Sequence, residues 1–397
     1  MSAEATAKQK KNVAVLAALQ ALLMTNNSTA IALNGLAGYA LASKKSLATV
    51  PVTGWVMGAA LTTFFASLLM KRIGRKGGFT LGTLVGIVGA SICCTALYVR
   101  SFWLFVAGTT VFGVYNAFGQ YYRFAAADAV SHGFRAKAIS LVLAGGLVGG
   151  IVGPTVSKWT KDMLPVAFLG AYITLVVFLV VVLAVIRLID IPAPTAAEAK
   201  ESGRPLAEIA AQPAFIVAVL AGAFGYGVMN LLMTATPLAM GVCGHPYSAA
   251  ATVISWHVIG MFAPSFVTGS LIRRFGVAAV MLAGVGLNLA CIGIALAGVD
   301  VPNFAAALFL LGVGWNFLYV GGTALLTETY RPAEKAKAQG ANDFVIFVIM
   351  ATSSFSSGLL LETNGWQLLN YLAIPFVATI GLAVLWLMAK RRVPAVA

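Results

Sequence analysis

Two methionine pairings and one histidine in the second half of the chain have residue types and spacing suited to soft-metal chemistry. Met229 and Met233 lie four residues apart, and so do His257 and Met261. That spacing sets the members of each pair on one face of a helix. The two apolar runs that carry them are consecutive, so as antiparallel helices they can face one another. Thioether sulfur is a soft ligand that selects Cu(I) over Zn²⁺, Mg²⁺ or Ca²⁺, and imidazole also suits copper. Thioethers are neutral, so such a site can stand empty in a membrane without burying charge, and weak multi-ligand binding lets an ion leave again. The same methionine spacing also arises from ordinary core packing. His257 is harder to assign to packing, because an imidazole inside a membrane helix is costly and is a functional candidate by default. Cys243 and His245 follow the first run and are either a loading point or plain loop residues.

A second set of polar residues falls in other apolar runs: Asn26, Asn27, Asn116, Gln120, Asn230, Trp315 and Asn316. Asn116 and Gln120 share a helix face. Groups of this kind either hydrogen-bond between membrane helices or line a cavity for a polar solute. With Tyr115, Tyr121, Tyr122, Trp315 and Tyr319 close by in sequence, a flat aromatic solute is compatible with such a cavity. Asp343 is the carboxylate placed clearly inside a run, and it suits either proton coupling or a structural ion pair. Arg123, Asp128 and Glu328 sit at run ends, where they shape loops.

The elements that must position these residues are membrane helices. Of the 397 residues, 60% are hydrophobic and only 10% charged, too few charges to keep a soluble protein of this length wet. The apolar residues come in blocks of about 20, the thickness of a bilayer core, without the alternation of a membrane β-barrel. Twelve spans are expected, near 13–36, 47–70, 78–99, 102–126, 138–160, 164–188, 213–236, 248–271, 277–298, 303–327, 338–361 and 366–389. They leave a segment 1–12, a six-helix bundle over 13–188, a polar linker over 189–212, a second bundle over 213–389 and a tail over 390–397. No cleavable signal peptide is expected, since the polar basic start leads into an apolar run that is too long and lacks a cleavage site. The cysteines Cys93, Cys94, Cys243 and Cys291 form no disulfide framework.

The net charge of +14 is a matter of topology. With both termini cytoplasmic, 21 of the 26 basic residues fall on the cytoplasmic side, a strong positive-inside bias. That removes the case for nucleic-acid binding. No phosphate-binding glycine loop and no nucleophile set appear, so neither an enzyme nor an ATP-driven pump is expected.

The chain also repeats itself. Residues 67–82 (SLLMKRIGRKGGFTLG) lie over 269–284 (GSLIRRFGVAAVMLAG), 202 positions on, and 134–140 (FRAKAIS) lie over 334–340 (EKAKAQG), 200 positions on. Parallel halves of this kind are a transporter architecture. On the first offset His257 falls where the first half has Trp55, Met261 where it has Ala59, and Met229 and Met233 where it has Asn27 and Ile31, so the metal-ligand candidates belong to the second half alone.

The run Lys71-Arg72-Ile73-Gly74-Arg75-Lys76 resembles the signature that follows the second helix in the major facilitator superfamily, with Arg273-Arg274-Phe275-Gly276 as its echo. Gly149-x-x-x-Gly153-Pro154 in the fifth span resembles a feature of the same family. The resemblance covers essentially the whole chain. It implies an all-α membrane protein of twelve helices in two six-helix bundles, a secondary transporter working by alternating access. The family's acidic residue before the basic cluster is missing, its places taken by Ser67 and Lys71, and by Gly269 and Arg273. A reversed latch, with Lys71 or Arg72 against Asp343, is the expected substitute.

Met229, Met233, His257 and Met261, with a contribution from Cys243, resemble more narrowly the CcoA-type copper importers of this superfamily. That resemblance implies import of copper as transported substrate for cytochrome oxidase assembly, with no resident cofactor. The thiol expected on span 7 is absent, Ala221 and its neighbours carrying none. A sister group associated with riboflavin uptake shares much of span 8, and implies the alternative of an organic solute held among spans 1, 4, 7 and 10 by Asn27, Asn116, Gln120, Asn230 and Asn316. Either way the expected setting is the inner membrane of a bacterium, crossed many times, with the chain functional as a monomer.

Overall fold

The computed structural model describes residues 6–44, 47–48, 50–192, 195, 201 and 203–392. Lys45, Lys200, the start 1–5, much of the linker and the tail beyond 392 lie outside the described residues. The elements are α1 (Ala7–Leu41), α2 (Val50–Tyr98), α3 (Phe102–Gly119), α4 (Tyr122–Asp128), α5 (Arg135–Thr160), α6 (Leu169–Ile186), α7 (Leu206–Ala210), α8 (Pro213–Val242), α9 (Tyr247–Phe262), α10 (Ser265–Phe275), α11 (Val277–Ala297), α12 (Val301–Leu326) and α13 (Lys335–Arg392). No strand occurs among the described residues.

Local chemistry sets the helix boundaries. Thr6 caps α1, its hydroxyl accepting from the Gln9 amide at 3.3 Å while the Gln9 side chain accepts from the Thr6 amide at 3.1 Å. Proline opens α8, where its fixed φ is pre-organised and its missing N–H costs nothing. The long α2 is two spans joined without a loop: Gly74 turns the chain at φ 78° and ψ 167°. Gly276, 202 positions on, makes the same turn between α10 and α11 at φ 85° and ψ 156°. Only glycine tolerates that conformation, which accounts for the glycine in both copies of the basic motif. Gly365 divides α13 in the same manner.

Nine helices among the described residues are long and apolar enough to cross a membrane, and the pair α9–α10, bent by 40°, adds a broken one. The nine already include α13 beyond Gly365; separating α2 at Gly74 and adding α13 before Gly365 makes the described helices fit the twelve spans expected. Large apolar side chains such as Phe65, Val88, Val180, Phe266, Phe355 and Leu382 stand exposed along them, as lipid-facing residues do.

The chain divides into two compact units. One comprises Met1–His132 with Leu141–Glu201, the other Gly133–Ser140 with Ser202–Ala397. In the first, α1 and α5 approach at the Gly149-x-x-x-Gly153 pair. A Cβ on Gly149 would lie 2.4 Å from the Ala21 carbonyl, and one on Gly153 2.7 Å from that of Thr25. The contact is closed by the Thr29 hydroxyl donating to the Gly153 carbonyl at 3.0 Å. Small residues therefore stand there because two backbones touch.

Candidate functional site

In the first unit the polar residues of α1, α3 and α4 form one connected chain. Asn27 donates from Nδ2 to Oδ1 of Asn116 at 2.8 Å, and Gln120 donates to the same oxygen at 3.2 Å. Arg123 then donates to the Gln120 carbonyl at 2.7 Å and to its Oε1 at 3.3 Å. Asn27, Asn116 and Arg123 are all buried. Beside them Asn26 adjoins the Tyr115 hydroxyl, and both amide atoms of Asn26 are buried without a well-formed hydrogen bond. Buried polar atoms left in this state are costly, and a bound solute rich in donors and acceptors would offset that cost.

The basic motif of this unit is partly structural. Arg75 grips Oδ2 of Asp128 from Nε at 3.1 Å and from Nη2 at 3.0 Å, so Asp128 holds a loop, as its position suggests. Arg72 is exposed, and Lys71 donates to the Glu201 carbonyl.

In the second unit, Met229 on α8 is buried and Met233 half-buried, while His257 and Met261 on α9 are both buried. His257 is seated against α12: its Nδ1–H donates to the Leu308 carbonyl at 2.7 Å. The opposite nitrogen, Nε2, is buried with no hydrogen-bond partner among the described residues. Met261 offers α12 its carbonyl, which accepts from Asn316 at 2.7 Å. Cys243 caps α8 through its backbone amide and is exposed. His245 is drawn off to the Val299 carbonyl at 2.7 Å, a loop-to-loop bond. Among the described residues no group of three or more His, Cys, Asp or Glu side chains is placed to hold a metal ion.

Two of the residues expected on a cavity wall are engaged elsewhere. Asn230 donates to the Met350 carbonyl and to the Ser353 hydroxyl, both at 3.1 Å, tying α8 to α13. The amide of Asn316 is taken up entirely by α9 and α10. Both are helix-to-helix bonds of the ordinary membrane kind. Asp343 is buried on α13, with the neighbouring Asn342 amide donating to its Oδ1 at 2.8 Å.

What the second unit does gather is aromatic. Trp315 and Tyr319, one turn apart on α12, stack with ring centroids 4.9 Å apart and planes only 16° from parallel. Tyr226 of α8 stands edge-on to both, at 5.3 Å and 5.5 Å, and Phe262 at the end of α9 stands edge-on to Trp315 at 5.9 Å. The indole Nε1 of Trp315 is buried with no hydrogen-bond partner among the described residues. Tyr226 and Phe262 are not singled out by sequence spacing, since they lie on different spans from Trp315. The signal that could have found Tyr226 is its place on span 7, three residues before Met229.

Residues 13–264 and 244–397 each match the Major Facilitator Superfamily, and the chain belongs to that family. It is a multi-pass membrane transporter and not an enzyme. It is 42% identical over 376 residues to the riboflavin transporter RfnT of Brucella anthropi, a match covering 94% of each chain. It is 26% identical to YddS, an uncharacterised transporter of this type from Bacillus subtilis, over 91% of this chain and 87% of that one. Among solved structures, FucP in its outward conformation superposes with a TM-score of 0.78 at 18% identity, covering 94% of this chain and 98% of that one. A bacterial homologue of the iron transporter ferroportin, also outward-facing, does so at 0.75 and 12% identity, covering 95% of this chain and 99% of that one. These two likenesses concern the fold.

Proposed function

We propose that the chain carries a planar, hydrogen-bonding aromatic solute of the flavin class, riboflavin first among them, into the cell by alternating access. The observation that carries this reading is the near-parallel Trp315–Tyr319 stack, walled by Tyr226 and Phe262, in a chain 42% identical to a protein named a riboflavin transporter. A flat tricyclic ring can stack on such a surface, each aromatic pairing adding about 0.5–1.5 kcal/mol beyond the area it buries.

The expectation of copper import has less behind it. His257 spends one nitrogen on α12, and the 42% identical relative is named for a flavin. Coupling is assigned in the same reading to Asp343, with Lys71 or Arg72 as its latch. The setting assigned is a bacterial inner membrane with both termini cytoplasmic, the chain acting as a monomer.

The test is uptake of radiolabelled riboflavin by a riboflavin-requiring bacterium that expresses the chain. Wild type should support uptake, and Trp315→Ala or Tyr319→Ala should each lower it about tenfold, what ~1.4 kcal/mol of lost stacking amounts to. Uptake no higher than in cells without the chain would reject the reading.

A further inference from the structure

The helix that carries His257 is broken, and one side chain of another helix repairs the break. α9 ends at Phe262, α10 begins at Ser265, and the two are bent by 40°. Pro264 lies in the break and has no N–H, so the Gly260 carbonyl loses the donor that a continuous helix would give it. The backbone on the far side closes on itself, with the amides of Val267 and Thr268 donating to the Pro264 carbonyl at 2.9 Å and 2.8 Å. The Met261 carbonyl, at the open end of α9, instead accepts the Asn316 side chain at 2.7 Å. The same Nδ2 donates to the Ser265 hydroxyl, and Oδ1 of Asn316 accepts from the Thr268 hydroxyl at 2.7 Å. One fully buried amide thus touches the last turn of α9 and the first turn of α10 together.

Its place in α12 gives the stitch a consequence. Asn316 directly follows Trp315, and Phe262, the last residue of α9, packs against Trp315. The bend angle at Pro264 therefore sets where Phe262 stands in the aromatic cluster. Asn116, 200 positions before Asn316, bonds differently, accepting from Asn27 and Gln120. The stretch of α2 from Val50 to Gly74 that corresponds to α9–α10 runs without a break. The stitch belongs to the second half alone.

We infer that Asn316 is a positioning residue: it takes the place of the backbone bonding that Pro264 disrupts, fixes the bend between α9 and α10, and so seats Phe262 against Trp315. It does this through its side-chain amide and without touching the solute. The inference rests on the flavin reading only for the identity of that solute.

The test is a double-mutant cycle of Asn316→Ala and Pro264→Ala, read both in riboflavin uptake kinetics and in the melting temperature of the purified chain. Asn316→Ala should raise KM about tenfold while Vmax per folded molecule stays within about twofold, since the seat is displaced and the cycle is intact. Pro264→Ala restores the backbone donor and lets the Ser265 amide reach the Met261 carbonyl. In that background Asn316→Ala should raise KM by less than about threefold and lower the melting temperature less than it does in the wild type. An equal KM penalty in both backgrounds would mean that Asn316 contacts the solute and would overturn the inference. So would a fall in Vmax with KM unchanged, the mark of a purely structural role. If the wild type does not carry riboflavin, the proposed function fails by itself. The four melting temperatures then decide alone, and equal losses in the two backgrounds reject the stitch.

Discussion

His257 donates from Nδ1 to the backbone carbonyl of Leu308 across 2.7 Å, and that bond fixes both the tautomer and the direction of the ring. With Nδ1 holding the proton, the buried Nε2 is left with a bare lone pair in the neutral imidazole. On the internal repeat its place belongs to Trp55, whose indole Nε1 is likewise buried without a hydrogen-bond partner among the described residues. Two bulky heterocycles at matching positions argue for a shared packing role, one nitrogen of His257 serving as a peg into α12.

That peg makes a prediction about copper. Cells expressing the chain should accumulate no more radioactive copper than cells without it, and His257→Ala or Met233→Ala should leave that level where it was. The same His257→Ala should remove a bond to a Leu308 carbonyl that keeps its helical donor within α12, at a net cost of about 0.5–1.5 kcal/mol, seen as a lower melting temperature. Copper accumulation that rises with the wild type and falls in both variants would restore the metal site, with Nε2 as the free ligand atom.

The end of the linker makes a second prediction. Arg204 grips both oxygens of Glu334, from Nε at 2.8 Å and from Nη2 at 2.7 Å, and its own amide donates to Oε1 at 2.9 Å. The Arg331 amide adds a fourth bond at 3.0 Å. Arg204 also donates to the Thr329 carbonyl at 3.1 Å, which Gln212 reaches at 2.8 Å. The guanidinium holds the Glu334 carboxyl well below the usual carboxylate range, and the carboxylate in turn raises Arg204. A depressed carboxylate stabilises the fold at any pH above its ordinary value near 4.5, and that contribution drains away as acid protonates it. Glu334→Gln should therefore lower the melting temperature at pH 7 by on the order of 5 °C, with the gap to wild type closing as the pH falls below about 4.5. An equal gap at pH 7 and at about pH 2 would show that the ion pair contributes nothing.

The fold was legible because a bilayer imposes its own thickness and charge rule on the sequence. Apolar blocks, basic loops and the doubled R-x-G motif mark the helices, and Gly74 and Gly276 make the same turn at the expected spacing. The site was less legible, for a physical reason. Spacing tells which residues share a face but not which neighbour that face meets. Met229 and Met233 do share a helix, yet the imidazole of His257 is bonded into α12. Asn230 and Asn316 look like cavity residues because they are polar within apolar runs, and both are consumed by carbonyls and hydroxyls of adjoining helices. The aromatic cluster draws on α8, α9 and α12, with no spacing rule to connect Tyr226, Phe262 and Trp315. Asn27, Asn116 and Gln120 likewise bond among themselves, two of the three one helical turn apart and the third reaching them from α1.

Coupling supplies the last prediction. Asp343 is 2% exposed, a carboxylate inside a membrane helix, and such a group persists where it does work. If it carries the coupling proton, Asp343→Asn should abolish accumulation of riboflavin against a gradient while leaving exchange of labelled for unlabelled riboflavin across the membrane, because exchange needs no net proton movement. The pH dependence of uptake should flatten in the same variant. Lys71 belongs to the motif whose family pattern carries an acid where this chain has a base, and if it is the proposed latch to Asp343 it should not tolerate reversal. Lys71→Asp should cut transport about tenfold, the loss expected when a charge pair becomes a repulsion, and the double change Lys71→Asp with Asp343→Lys should recover part of it in uptake, though not accumulation. Transport unaffected by Lys71→Asp alone would leave Asp343 as a coupling residue and remove Lys71 from the mechanism.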